Sequence, residues 1–333
     1  MKQAISSVPA LAYSDAVAIK LTRSPSMRAE YAGQSFFTFR FGADKPGDRD
    51  SFPIQLQALG DSPKIEQWLS DEQVIAEPDG EIRCVESGEH LLLALSAPCG
   101  DDELEGLVER SYYRLVSKGR ERGFAHPVRA WNFMPAINLG EGDTERYRRF
   151  TVGRALAFDA LGIGEKQLPA GTAIGSGAGS ALSIILLLAR KPALMLGNSR
   201  QVNAYSYPSQ YGPRSPSFSR AAIVKSKDGC CLLISGTASV VGHESVHIGN
   251  IAAQTEETCH NILQLIEDAR QRAGLEAGSY QRACFRIYVR EPADLQAVKK
   301  VHDKYFSGEP VIFLQGDVCR KELLVETEAV IWL

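Results

Sequence analysis

The sequence is short of the features that commit a chain to a membrane, a polyanion or an oxidising compartment. Its longest largely apolar run, residues 181–189, contains Ser183 and stops at Arg190 and Lys191, far below the ~20 residues that a membrane span requires. The first twelve residues carry Ser6, Ser7 and Pro9 and no apolar segment, so no secretory leader is expected. Seven cysteines (Cys84, Cys99, Cys230, Cys231, Cys259, Cys284, Cys319) form an odd set without a C-x-x-C pair. Thiols this sparse fit a reducing cytoplasm better than a disulfide framework. Neither sign of charge dominates, with 37 Lys and Arg against 40 Asp and Glu, so neither nucleic acid nor an anionic membrane is an expected partner. No G-x-x-x-x-G-K-S/T string occurs, which removes the P-loop reading. What is left is a chain of 333 residues, 44% hydrophobic and 23% charged, of ordinary globular composition and long enough for about two domains.

The order of elements repeats. Residues 90–98 (HLLLALSAP) read as a buried strand, and a helix follows in which Leu104, Leu107, Val108, Tyr112 and Leu115 recur at helical spacing. PVRAWNFMPAI (127–137) reads as a strand, and DTERYRRFTVGRALAFDALG as a second helix capped by Asp143 or Thr144 and ended by Gly162. Residues 170–179 and 182–188 close the half as apolar strands. The C-terminal half replays this order with a strand at 231–238, a helix near 252–273 and a strand at 283–289. A helix after Pro292 and the strands PVIFLQG and LLVETEAVIWL complete it. Letter identity between the halves is poor, and βαβ order also arises by chance, so duplication and coincidence both stay open. The expected class is α+β: two sheet-and-helix modules, 1–198 and 199–333, with mixed sheets covered by helices on one face. A ligand site is expected near the module interface and the Ser-, Pro- and Tyr-rich loop 198–220.

Four patterns bear on chemistry. His243-Glu244-Ser245-Val246-His247 satisfies H-E-x-x-H, but its β-branched and Gly-rich surroundings lack a helical stripe and no third ligand stands out, so no metal is expected. Gly175-Ser176-Gly177-Ala178-Gly179 misses the dinucleotide fingerprint, because position 180 is Ser, and reads as a turn or a close strand approach. Arg146, Arg148, Arg149 and Arg154 fall on one predicted helix, and Tyr207, Tyr211, Arg214 and Arg220 fall in the loop. Guanidinium groups beside Tyr suit a small dicarboxylate, while a solvated surface explains the same residues equally well. Glu326 and Glu328, two apart on the last strand, share one face. That face is either a solvated exterior or a pocket wall where burial would turn one carboxyl into a general acid. Cys319 precedes Glu326 by seven residues and reads as a small core residue or a pocket thiol.

The C-terminal half resembles the YjgF/RidA family of imine deaminases and relatives. The likeness runs through LLISGTAS, IAAQTEETCHNILQLIEDA, FRIYV and PVIFLQGDVCRKELLVETEAVI. This resemblance puts Glu326 on that family's functional Glu, but Ile312 stands where the family carries its substrate-carboxylate Arg. Nearly the whole chain, through RAWNFMPAIN, ERYRRFTVGRALAF, YPSQYGPRSPSFSRA and SGTASVVGHESVHIGN, resembles the chorismatase family. Within it, the chain is most similar to members that form 3-hydroxybenzoate and 4-hydroxybenzoate. The resemblance implies a YjgF-like fold, chorismate as the small-molecule partner, release of pyruvate, and no metal or organic cofactor. It implies that Arg148, Arg214 and Arg220, with Tyr207 and Tyr211, hold the two carboxylates and exclude water, that Glu326 is the catalytic acid, and that Ala238 lines the same pocket. At the position of Cys319 the family carries Cys in aromatic-acid formers and Ala in hydrolytic members that yield a dihydrodiol. YjgF-like modules associate as trimers, yet a duplicated chain can satisfy such contacts internally, so a homotrimer and a monomer both stay open. An imine deaminase and a non-catalytic module for aromatic acids are the alternatives.

Overall fold

The strand at residues 90–97 shows how the chain sorts its apolar side chains: Leu91, Leu93 and Leu95 enter one core, Leu92 and Ala94 another. Successive side chains of a strand point to opposite faces, so a strand apolar on both must be covered on both. The computed structural model describes residues 18–22, 34–43, 48–100, 103–226, 229–276, 278 and 280–333. The first twelve residues, read above as carrying no leader, lie outside them.

Four strands form a first sheet: β1 (Ala18–Thr22), β2 (Gln34–Phe41), β3 (Ser51–Ile54) and β4 (Ile65–Ser70), in the order β1-β4-β2-β3. A second region contains β5 (Val74–Ala76), β6 (Arg83–Ser87), β7 (His90–Ala97), helix α1 (Leu104–Glu121), β8 (His126–Pro135), α2 (Arg146–Ala160), β9 (Ala170–Ser176) and β10 (Leu182–Ala189). Its six strands lie in the order β5-β6-β7-β10-β8-β9. A third region contains β11 (Leu194–Leu196), β12 (Ala221–Ser226), β13 (Gly229–Ala238), a small hairpin of β14 (Val240–Val241) and β15 (Glu244–Ser245), α3 (Ile251–Ala273), β16 (Arg282–Val289), α4 (Leu295–Tyr305), β17 (Val311–Gln315) and β18 (Val325–Trp332). Its six-stranded sheet runs β11-β12-β13-β18-β16-β17. The two orders are the same when counted from each edge, and each sheet has a single parallel pair, β8 with β9 and β16 with β17. The fold is α+β, and the repeated element order is a repeat in space as well.

Helices α1 and α2 cover the outer face of the second sheet, and α3 and α4 that of the third. The inner faces of both meet the first sheet in a shared core. There Phe37 stacks on Trp68 at 4.7 Å and Trp131 meets Trp68 edge-on at 5.8 Å. The inner face of β18 points into this region, so the solvated-exterior reading of Glu326 and Glu328 does not hold: each is only 4% exposed.

Three sequence expectations change in detail. The first sheet was not anticipated. Helix α2 starts at Arg146 behind Glu145, because Gly142–Thr144 forms a separate 3-10 turn rather than a cap. The third sheet begins at Leu194, before the expected boundary at 198. The Gly-rich run is a close approach: Gly175 and Asp317 exchange backbone hydrogen bonds of 2.7 and 3.1 Å. A Cβ on Gly175 would lie 2.5 Å from Ile137 and 2.6 Å from Asp317. Gly175→Ala therefore wedges β9 away from the segment after β17. It should cost about 1–3 kcal/mol in urea unfolding, and an unchanged midpoint would contradict this account of the contact.

Candidate active site

The two central strands of the third sheet, β13 and β18, fall out of register between Ile234 and Thr237, a local irregularity of the kind that re-aims side chains. Gly236 sits in the break, and a Cβ there would lie 1.8 Å from Oε1 of Glu326. Only glycine leaves space for that carboxyl. On the same face Glu328 is gripped from several sides. Arg129 of β8 donates to it, Arg286 of β16 pairs with it at 2.6 Å, Tyr288 Oη donates at 2.9 Å and Thr172 Oγ1 at 2.5 Å.

These environments separate the two carboxyls. Burial pushes Glu326 up to about 8, and the charge of Glu328 adds to the shift, while Arg129 and Arg220 pull the other way. Burial also opposes the charge on Glu328. Arg286 and Arg129, with the hydrogen bonds from Thr172 and Tyr288, outweigh it and hold that carboxyl below its usual range. At neutral pH one group carries a proton and its neighbour a charge, the arrangement by which enzymes assign an acid among paired carboxylates.

Glu326 lines a cavity of about 640 Å³ whose wall takes residues from both halves of the chain, a volume suited to a small organic molecule. Seven expected residues lie on it: Glu326, Cys319, Arg148, Tyr207, Tyr211, Arg220 and Ala238. Arg220 is buried. Its Nη2 donates to Tyr207 Oη at 2.5 Å and to the Val202 carbonyl at 3.2 Å. Its Nε has no hydrogen-bond partner and no carboxylate pairs with it among the described residues. A buried guanidinium in that state is suited to binding an anion. Arg148 also lies on the wall but is already paired with Asp143 at 3.3 Å and Glu145 at 3.5 Å. Burial pushes the Cys319 thiol up to about 12, with Glu326 adding to it, so this sulfur faces the cavity as a neutral S–H.

Arg214 is the exception. Its guanidinium turns outward to Asp159 at 2.5 Å, and it is absent from the cavity wall. The Arg214 carbonyl lies 3.3 Å from Thr151 Oγ1 of α2, which also donates to the Arg148 carbonyl at 2.6 Å. Tyr147 and Arg320 are among the wall residues that the sequence does not single out. Tyr147 follows Arg146 in α2, and burial drives its phenol well above the ordinary value. Arg320 lies 4.1 Å from the Tyr211 ring centroid and 5.3 Å from that of Tyr207, and donates to the His243 carbonyl and Ser245 Oγ at 3.0 Å each. Both adjoin residues already singled out, but only the tertiary fold reveals which way they face.

The H-E-x-x-H string lies on a hairpin and loop, not on a helix. His243 Nδ1 meets Tyr211 Oη at 3.2 Å, whereas His247 turns to Glu257 at 3.4 Å. The two rings serve different partners. Ile312 is fully buried in the shared core, away from the cavity.

A family model described as chorismatase FkbO/Hyg5-like, N-terminal, matches residues 66–189. A 3-hydroxybenzoate synthase of Streptomyces hygroscopicus is 35% identical over 288 residues, covering 84% of each chain. The chain belongs to the chorismatase family. A chorismatase of Streptomyces rapamycinicus is 37% identical over 217 residues, 63% of this chain and 65% of that one. A chorismatase crystal structure at 1.08 Å resolution superposes with a TM-score of 0.86 and 26% identity, covering 96% of this chain and all of the other. Among the described residues of this chorismatase-family protein, no helix is long and apolar enough to cross a membrane.

The raised value at Glu326 has a consequence for stability. Between the ordinary unfolded value of about 4.3 and the folded value of about 8, the folded state holds a proton that the unfolded state has released. Stability from this site therefore falls as pH rises through that window. Glu326→Gln removes the slope, so its urea-unfolding free energy relative to the wild type should climb from pH 5 to pH 8 and level off above. A difference independent of pH would contradict the protonated state of Glu326.

Proposed function

We propose that this chain cleaves chorismate to pyruvate and a hydroxybenzoate, with Glu326 as the general acid and without a cofactor. One observation carries the reading: the buried carboxyl of Glu326, two residues from the arginine-clamped Glu328, lies on the wall of a cavity that also presents Arg220, with which no carboxylate pairs among the described residues. Chorismate brings two carboxylates, and its enolpyruvyl methylene needs a proton for the ether to break. Arg220 takes one carboxylate. Arg148, Tyr207 and Tyr211 flank the same space, and Ala238 leaves room beside the acid. Glu326 delivers its proton to the methylene carbon, and the C3–O bond then breaks with its electron pair going to oxygen, which becomes the keto oxygen of pyruvate.

Two exits follow from one bound state. When the C4 oxygen attacks C3 as pyruvate leaves, an arene-oxide-like species forms. It opens at C4 and loses the C3 proton, giving 3-hydroxybenzoate. When the side chain simply departs and C4 loses its proton, the C4 hydroxyl stays and 4-hydroxybenzoate results. In both, a proton returns to the carboxylate and the products together have the composition of chorismate, so neither water nor an oxidant is consumed. The neutral thiol of Cys319 occupies wall beside the acid and keeps attacking water away from C3. The imine-deaminase alternative loses its carboxylate contact, because Ile312 is buried elsewhere.

Purified protein given chorismate should release pyruvate and hydroxybenzoate in equal amounts, and release at the spontaneous rate alone would refute the assignment. Glu326→Gln should lower kcat by about 100- to 10,000-fold while the fold is kept; an undiminished kcat would remove Glu326 from the acid role. Cys319→Ala should divert product toward the dihydrodiol formed with water, measured by chromatography, and an unaltered product profile would exclude Cys319 from that control.

A further inference from the structure

Behind the acid lies a set of buried charges that does not line the cavity. Glu66 of β4 receives two hydrogen bonds from Arg286, at 3.0 and 2.7 Å, and one from Trp68 Nε1 at 2.7 Å. Arg286 joins Glu66 to Glu328, and Glu328 joins Arg286 to Arg129. The quartet brings together the first, second and third sheets, and its two cations and two anions sum to zero. Thr172 Oγ1 completes the connection toward the cavity. It receives Arg129 Nη2 at 2.5 Å and the Gly236 amide at 2.9 Å while donating to Glu328. Gly236 is the residue against which the Glu326 carboxyl rests.

We propose that Glu328 is a positioning residue for the reaction: clamped by Arg129, Arg286, Tyr288 and Thr172, it fixes a negative charge behind Glu326 and keeps that acid loaded with the proton it delivers. The inference rests on the reading of Glu326 as the general acid. A pair two residues apart on one strand face is separated by roughly 7 Å, close enough in a dry interface for one charge to govern the other. The other groups acting on Glu326 are Arg129 from β8 and Arg220 from the loop, which favour its charge, and Cys319 and Tyr147, both neutral at working pH. Glu328 is the anion of this set. Its clamp leaves it no freedom to turn away, so its effect on Glu326 is constant through the catalytic cycle.

The test compares Glu328→Gln, Arg129→Gln and the double variant with wild type. Two readouts are followed: the alkaline limb of kcat, and the infrared band of the protonated carboxyl that Glu326→Gln abolishes in the substrate-free protein. Glu328→Gln should move both to lower pH by about one unit or more, with KM nearly unchanged. Arg129→Gln should move both to higher pH. The double variant, which keeps the charge balance and so spares the fold if a single variant fails, should lie between. Loosening of the structure alone would lower kcat at every pH, or shift the limb the same way in both single variants, and either result overturns the proposal. A band that stays still in Glu328→Gln overturns the role of Glu328 and leaves Glu326 as the acid. A band that shifts while the kcat limb does not overturns Glu326 as the acid, and the positioning role falls with it.

Discussion

Two buried carboxyl groups share one face of β18, and burial opposes a charge on either of them. A charge on Glu328 adds to the cost that burial already sets on charging Glu326. The fold resolves the conflict by position. Glu328 lies where the second and third sheets each contribute an arginine, and it remains anionic. Glu326 lies one step nearer the cavity, receives no such pairing, and keeps its proton. The register break at Gly236 is the backbone feature that lets this second carboxyl sit there.

The repeated sheets explain why this arrangement is available. A strand inside a sheet covered by helices on one face only is free to carry polar groups on the other. In β18, Val325, Ala329 and Ile331 face the helices while Glu326 and Glu328 face the meeting of the sheets. The first sheet contributes Glu66, which balances Arg286 and so allows Arg286 to serve Glu328 without leaving an uncompensated charge. A buried ion network of this kind is a poor source of stability and a good source of fixed electrostatics. Its value here is the protonation state of a neighbour, not the free energy of the fold.

Much of this was legible in the linear sequence where periodicity is strong. The Leu-rich run at 90–97, the helix with Leu104, Val108, Tyr112 and Leu115, and the matching C-terminal set appear where the apolar spacing puts them. The first sheet escaped notice because its short strands, such as Ser51–Ile54, are broken by Gly- and Asp-rich stretches and carry no repeat partner. The spacing of Glu326 and Glu328 revealed a shared face, but not whether that face met water or a cavity. The direction of side chains on loops was the weakest signal. Arg214 and Arg220 stand six residues apart with the same chemistry, yet one turns to exposed Asp159 and the other is buried on the wall. Arg320 and Tyr147 were hidden for the same reason, since only the meeting of the two halves decides which neighbours of a motif reach the site.

The proposed chemistry depends on where one proton resides. Neutron diffraction from a deuterium-exchanged crystal of the substrate-free protein at pH 7 would locate it directly. Deuterium on a carboxyl oxygen of Glu326, with none on Glu328, is the result expected from the opposed surroundings of the two groups. An ionised Glu326, or a deuteron on Glu328, would contradict it.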